Sequence, residues 1–223
     1  MHLTSGLAIF ILAVILMLGW FAIGTQWNVR KGDSVLKWLQ DGLPVIGERT
    51  TMRWLGSSVL ELKIEKASKP FKSAEAVIVF EPRDVAFLWG LARLRGRRDL
   101  FIFRSQLRSV PRYEIEAIES GAWSAGGVEK SMMKNRWQHL QTAAGTFPGR
   151  LSVYYPNGGN AASAVDLVGM ASDLGKKLIR LSVRSDKQTL ELQYPLSQAN
   201  TISAKELFSG IKQLAGSLIE TSE

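Results

Sequence analysis

Residues 59–66 read Val-Leu-Glu-Leu-Lys-Ile-Glu-Lys, with Leu60, Leu62 and Ile64 on one side of an extended chain and Glu61, Lys63 and Glu65 on the other. Side chains alternate between the faces of a strand, so this pattern predicts a strand with one face in a core and one in water. Arg49 to Leu55 precedes it across Gly56-Ser57-Ser58, and two strand-like runs so closely spaced predict a hairpin. Half-buried strands joined by hairpins build antiparallel sheets.

The pattern continues along the chain. Ala76 to Phe80 is a continuous apolar run stopped by Pro82, as for a strand covered on both faces. Asp99 to Leu107 and Arg112 to Glu119 are expected strands divided by Pro111, and Arg150 to Tyr155 is another. Ile179 to Arg184 and Thr189 to Tyr194 form an expected hairpin around Ser185-Asp186-Lys187. A turn at Pro156-Asn157-Gly158-Gly159 leads into a helix from about Ala161 to Leu178, with Asn160 as its cap. From Ser120 to Gly149 the periodicity fades, and only a short helix around Lys130 to Gln141 is expected. The last element is the best marked: Ser203 and Glu206 make a capping box, and Leu207, Phe208, Ile211, Leu214, Ala215, Leu218 and Ile219 follow at helical spacing. Strands outnumber helices and sit in hairpins, so the fold class is α+β, a largely antiparallel sheet with flanking helices. VLELKI at 59–64 is echoed by TLELQY at 189–194, which suggests two related lobes, 49–120 and 150–223, within a soluble domain of residues 49–223.

Ahead of this domain, no charged side chain occurs from Leu3 to Val29, and Leu7 to Gly24 is almost wholly apolar. At 1.5 Å per residue, ~20 helical residues span the ~30 Å hydrocarbon layer, so residues 1–29 are expected to form one transmembrane anchor. Trp20 and Trp27 near its end suit the headgroup level, and Arg30 and Lys31 follow at once. A cleaved signal peptide fits less well: the basic n-region is missing and Ala22-Ile23-Gly24 is a poor cleavage site. With the flanking basic residues after the helix, the positive-inside rule places the domain on the cytoplasmic side of a cell membrane. Residues 30–48 are expected to form a juxtamembrane helix or linker, with a short amphipathic helix over Asp33 to Leu43 that either lies near the membrane or packs on the domain.

The chain of 223 residues carries a net charge of +8 and a pI near 9.8, which favours an anionic neighbour. With no cysteine, disulfides, thiolate-bound metals and cysteine nucleophiles are excluded, and His2 and His139 are the only imidazoles. The chain has no phosphate-binding loop, dinucleotide fingerprint, zinc-protease motif, nucleophile elbow or calcium loop, so no cofactor is expected. Glu114 and Glu116 on one strand face are expected to be charge partners of nearby arginines rather than an acid–base pair. A tethered hydrolase or peptidase built on a Ser131–Lys134 dyad or on carboxylates is the alternative to a non-enzymatic role.

The unusual feature is the window from Arg83 to Arg112. It holds Arg83, Arg93, Arg95, Arg97, Arg98, Arg104, Arg108 and Arg112 against Asp84 and Asp99, a local charge of +6, with no lysine. Guanidinium presents a planar fork that suits phosphate and carboxylate. Val85, Phe87, Leu88, Trp89, Leu91 and Leu94 make an apolar stretch too short to cross a bilayer. Together they resemble an interfacial element, with Trp89, Arg93, Arg95, Arg97, Arg98, Arg104 and Arg108 as candidate contacts to anionic lipid or an acidic partner. Two other readings stand: a core helix with a solvated rim paired to Glu75, Glu81, Glu114, Glu116 and Glu119, and a nucleic-acid surface, for which recognisable motifs are absent. The expected partners are membrane lipid and a second membrane or membrane-associated protein, met by an anchored interaction or scaffold subunit.

Overall fold

In the computed structural model, which describes residues 2–122, 125–140, 147, 150–175 and 177–219, strand pairing brings distant parts of the chain into one antiparallel sheet. The strands are β1 (Gly47–Leu55), β2 (Val59–Ala67), β3 (Phe71–Val79), β4 (Leu100–Leu107), β5 (Ile115–Glu119), β6 (Gln138–Leu140), β7 (Leu151–Tyr155), β8 (Arg180–Arg184) and β9 (Thr189–Pro195). Their order is β1-β2-β3-β4-β9-β8-β5-β7-β6, antiparallel throughout. The helices are α1 (His2–Gln40), α2 (Leu43–Ile46), α3 (Ala86–Leu94), α4 (Ala125–Lys134), α5 (Ala161–Gly175), α6 (Leu196–Ala199) and α7 (Ala204–Ile219). The α+β fold class expected from the strand and helix patterns is the one observed.

The inward residues of β2, Leu60, Leu62 and Ile64, are buried, as are Leu190, Leu192 and Tyr194 of β9. The β4–β9 pairing puts these two echoing strands in a single core rather than in separate ones. α7 lies across that core. Phe208 meets Phe101 and Phe103 at centroid separations of 6.1 and 6.0 Å. The helix starts where its capping box predicts: the Ser203 N–H donates to Glu206 Oε2 (3.0 Å) and the Glu206 N–H to Ser203 Oγ (3.1 Å). α5 is capped by Asn160, whose Oδ1 accepts from the N–H groups of Ala162 and Ser163. Its Gly175 makes room for the Tyr194 ring, which a Cβ would approach to 2.2 Å, and the Tyr194 hydroxyl donates to Ala171 O at 2.8 Å.

β3 starts at Phe71 rather than Ala76, β5 at Ile115 rather than Arg112, and α5 ends at Gly175 rather than Leu178; α4 and α1 differ more. α4 begins before the expected Lys130, at Ala125, and stops at Lys134 because Arg136 turns left-handed (φ 56°). Arg136 N–H then donates to Met133 O and Trp137 N–H to Met132 O, a Schellman closure that starts β6 directly; Gln141 and Trp123 lie outside the described residues. The second difference is α1, which runs unbroken through Arg30-Lys31-Gly32-Asp33, so the short helix expected at Asp33 is its last part. No proline interrupts this stretch, and Gly32 serves packing: a Cβ there would lie 2.5 Å from the Trp54 ring. Among the described residues α1 holds the one helix long and apolar enough to cross a membrane.

Truncating Phe208 to alanine removes a fully buried ring from between two others and should cost about 3–5 kcal/mol. Urea denaturation of the full chain in detergent reads this; a loss under ~1 kcal/mol would contradict the core as described.

Candidate membrane-facing site

α1 has two halves with different surroundings. From Ser5 to Ile23, 19 residues, none is buried. At 1.5 Å per residue this stretch is ~28 Å long, close to the hydrocarbon thickness. From Gly24 onward one side of the same helix is buried at Gly24, Asn28, Gly32, Val35 and Leu39, a spacing of three and four that makes a single stripe. The stripe is small and polar near the apolar half and aliphatic farther on. Gly24 permits the closest approach, since a Cβ there would fall 2.0 Å from Arg83 O.

What this upper stripe meets is a buried polar network. Arg83 forms a fork to Asp99, with Nη1 to Oδ1 at 2.9 Å and Nη2 to Oδ2 at 3.0 Å. Asp99 also accepts from Lys31 and from the Glu81 N–H (2.8 Å). Arg83 Nη1 donates to Asn28 Oδ1 (2.9 Å), and Asn28 Nδ2 donates to Ser57 O and Glu81 O. Burial pushes the Asp99 carboxyl up, but the hydrogen bonds from Arg83, Lys31 and Glu81 outweigh it and hold the group below its ordinary 3.8.

Tryptophans close the network on its apolar side. Trp20 Nε1 donates to Arg83 O (2.9 Å), the Arg83 guanidinium lies over Trp27 at 5.5 Å, and Trp89 sits near both rings at 6.0 and 6.2 Å. Trp89 Nε1 donates to Glu81 Oε2 (2.6 Å), and the Arg93 guanidinium stands over the Trp89 ring at 5.6 Å and 3.5 Å from Glu81. α3 is thereby held against α1 where the free half of α1 ends.

The outer side of α3 has no such cover. Phe87 is 75% exposed and Leu94 88%, and with half-buried Leu91 they share one helix face at i, i+4 and i+7; Val85 and Leu88 beside them are exposed too. α3 ends in a Schellman closure at Gly96 (φ 75°), where Gly96 N–H donates to Arg93 O and Arg97 N–H to Ala92 O. This turn sets Arg95, Arg97 and Arg98 at the helix end, all exposed, and Arg98 Nη1 donates back to the carbonyls of Arg93 and Arg97.

The structure therefore brings Trp20, Trp27, Lys31, Trp89, Arg93, Arg95, Arg97 and Arg98 into one region and leaves Arg104 and Arg108 elsewhere. Arg104 belongs to a row crossing the sheet with one residue per strand: Thr51, Lys63, Glu75, Arg104, Glu191, Ser182, Glu116, Tyr154 and His139. It pairs with Glu191 (2.9 Å) and Glu75 (3.7 Å). Arg108 donates to the carbonyls of Phe71 and Ala67. Arg30 is exposed on α1. Glu116 is fully buried and accepts from Arg180 (2.6 Å), Arg184 (2.5 Å) and Ser182 (2.7 Å), while Glu114 accepts from the Ser185 N–H. Ser131 and Lys134 are both exposed on α4. Sequence reasoning passed over Asn28, Gly24 and Gly32; their i, i+4 spacing at the end of an apolar helix was the available signal.

No protein-family model and no curated protein matches this chain.

Replacing Asp99 with asparagine removes the forked partner of buried Arg83, leaving Glu81 at 3.5 Å as its remaining carboxylate, and should cost about 3 kcal/mol at neutral pH. Because the Asp99 carboxyl is held below 3.8, its contribution is complete above that pH and is lost as the pH falls through the lower folded-state value. Asp99→Asn should lack that part of the acid dependence; urea midpoints for both proteins between pH 7 and pH 2 measure it, and identical curves would remove Asp99 from this role.

Proposed function

We propose that this protein is a single-pass, membrane-anchored interaction or scaffold subunit whose α+β domain is seated on an anionic membrane face. The observation that carries the reading is the placement of α3: an exposed apolar helix face, followed by arginines, packed on α1 where its unburied apolar stretch ends. At that height Phe87, Leu88 and Leu94 dip into the acyl boundary and the guanidinium groups of Arg93, Arg95 and Arg98 lie among headgroups. Each basic residue near an anionic surface contributes ~1 kcal/mol, reduced by screening. Attachment comes from α1, so the surface orients rather than recruits.

Arg30 and Lys31 after the apolar stretch favour the cytoplasmic side for the domain. A domain held in one orientation offers constant faces to a second membrane protein. β1, which among the described residues pairs with β2 alone, is one such face, with Met52 and Leu55 exposed on it.

The natural absence of cysteine makes site-specific labelling direct. Spin labels at Phe87→Cys and Leu94→Cys, in full-length protein reconstituted into phosphatidylglycerol-containing nanodiscs, should collide with oxygen as lipid-embedded groups do. A label at Lys187→Cys, in the turn at the far end of β9, should collide with an aqueous nickel reagent. Water-like behaviour at both α3 positions would end the seating proposal. In cells expressing Lys187→Cys, an impermeant maleimide should react only after lysis; reaction in intact cells would reverse the proposed sidedness.

A further inference from the structure

Beside the end of α3 the surface opens into a cleft of about 270 Å³. The Arg95–Arg98 turn forms one wall, Lys177 and Glu119 another, and Ser197 and Gln198 of α6 a third; Leu100 and Pro195 contribute apolar floor. At ~30 Å³ per water it holds about nine waters, enough for a phosphate with the glycerol carbons on either side.

Its lining carries more cationic than anionic side chains, Arg95, Arg97, Arg98 and Lys177 against Glu81 and Glu119. Two carboxylates reach the cleft, and both are engaged: Glu81 with Trp89, Arg83 and Arg93, and Glu119 with Lys177 at 2.9 Å. Among the described residues no carboxylate pairs with Arg95, and Arg98 donates only to backbone carbonyls. These two guanidinium groups therefore keep forked donors for a tetrahedral anion, and Ser197 and Gln198 add polar residues to the lining. Arg95 of the cleft follows exposed Leu94 of α3 directly in the chain, so an anion carrying acyl chains can gain apolar contact that a free anion does not.

We infer that this cleft binds the phosphodiester of an anionic membrane lipid, gripped by Arg95 and Arg98 while the acyl chains run beside α3. The inference rests on the seating of α3 at the bilayer surface. The same phosphate chemistry occurs in soluble anions, and the experiment separates the two sources.

Full-length protein in neutral-detergent micelles is titrated by calorimetry with dihexanoyl phosphatidylglycerol, dihexanoyl phosphatidylcholine and inorganic phosphate. The phosphatidylglycerol should bind saturably and at least tenfold more tightly than either other probe. Arg95→Gln with Arg98→Gln should weaken it at least tenfold, and so should Ser197→Trp, which fills the cleft without altering charge. Lys72→Gln with Lys187→Gln, an equal charge loss at the far end of the sheet, should leave binding unchanged. Far-UV circular dichroism and a thermal midpoint matching the parent certify each variant's fold. Inorganic phosphate binding as tightly as phosphatidylglycerol, equal loss from the distant pair, or no saturable binding would each overturn the inference. The Leu94→Cys label keeps the two proposals apart: lipid contact by the label without phosphatidylglycerol binding sinks the cleft alone, whereas a water-exposed label sinks the seating.

Discussion

The fork between Arg83 and Asp99 joins the two parts of this protein. Both side chains are buried, and removing two charges from water is costly unless geometry and further hydrogen bonds compensate. Here they do: Asp99 also accepts from Lys31 and the Glu81 N–H, and Arg83 also reaches Asn28 and lies over Trp27. Of the guanidinium nitrogens, Nε alone lacks a partner. Asn28 and Lys31 are one turn apart on α1, so sliding the helix by one turn, ~5.4 Å, would unpair both. The pair fixes the height and rotation of α1 against the sheet.

That constraint passes to α3 through the chain. Glu81 to Asp84 carries the network and leads into the helix, and Trp89 is wedged between the α1 tryptophans and Glu81. A contiguous apolar patch facing water on a soluble domain marks an interaction surface. Because α1 is continuous, its apolar half and that patch hold a fixed relation, with no flexible linker to uncouple the two.

The arginines that looked alike in sequence perform different work. Arg83 is a buried tie, Arg104 a rung in a charge row across the sheet, Arg108 a donor to two backbone carbonyls, and Arg95 and Arg98 remain exposed. On the sheet face opposite the helices, Arg104 is thus matched by carboxylates of the neighbouring strands. Arg180 and Arg184, outside the window, neutralise the fully buried Glu116. Local charge counts overstate the external demand wherever cross-strand neighbours carry the opposite sign.

Periodicity was enough to place most of the strands, the two hairpins, the capped final helix and the apolar segment, because each depends on side-chain spacing within a few residues; β6 fell inside an expected helix. Val59 to Lys66 could be nothing but a half-buried strand, and Ser203 with Glu206 could be read as a cap without knowing what the helix packs on. The pairing of β4 with β9, the passage of α1 through Gly32, and the sorting of the arginines were decided only in three dimensions. Asp99 lies 16 residues from Arg83 and 68 from Lys31. The strength of such a contact depends on burial, and burial is set by the assembled sheet and helices rather than by any neighbour in the chain.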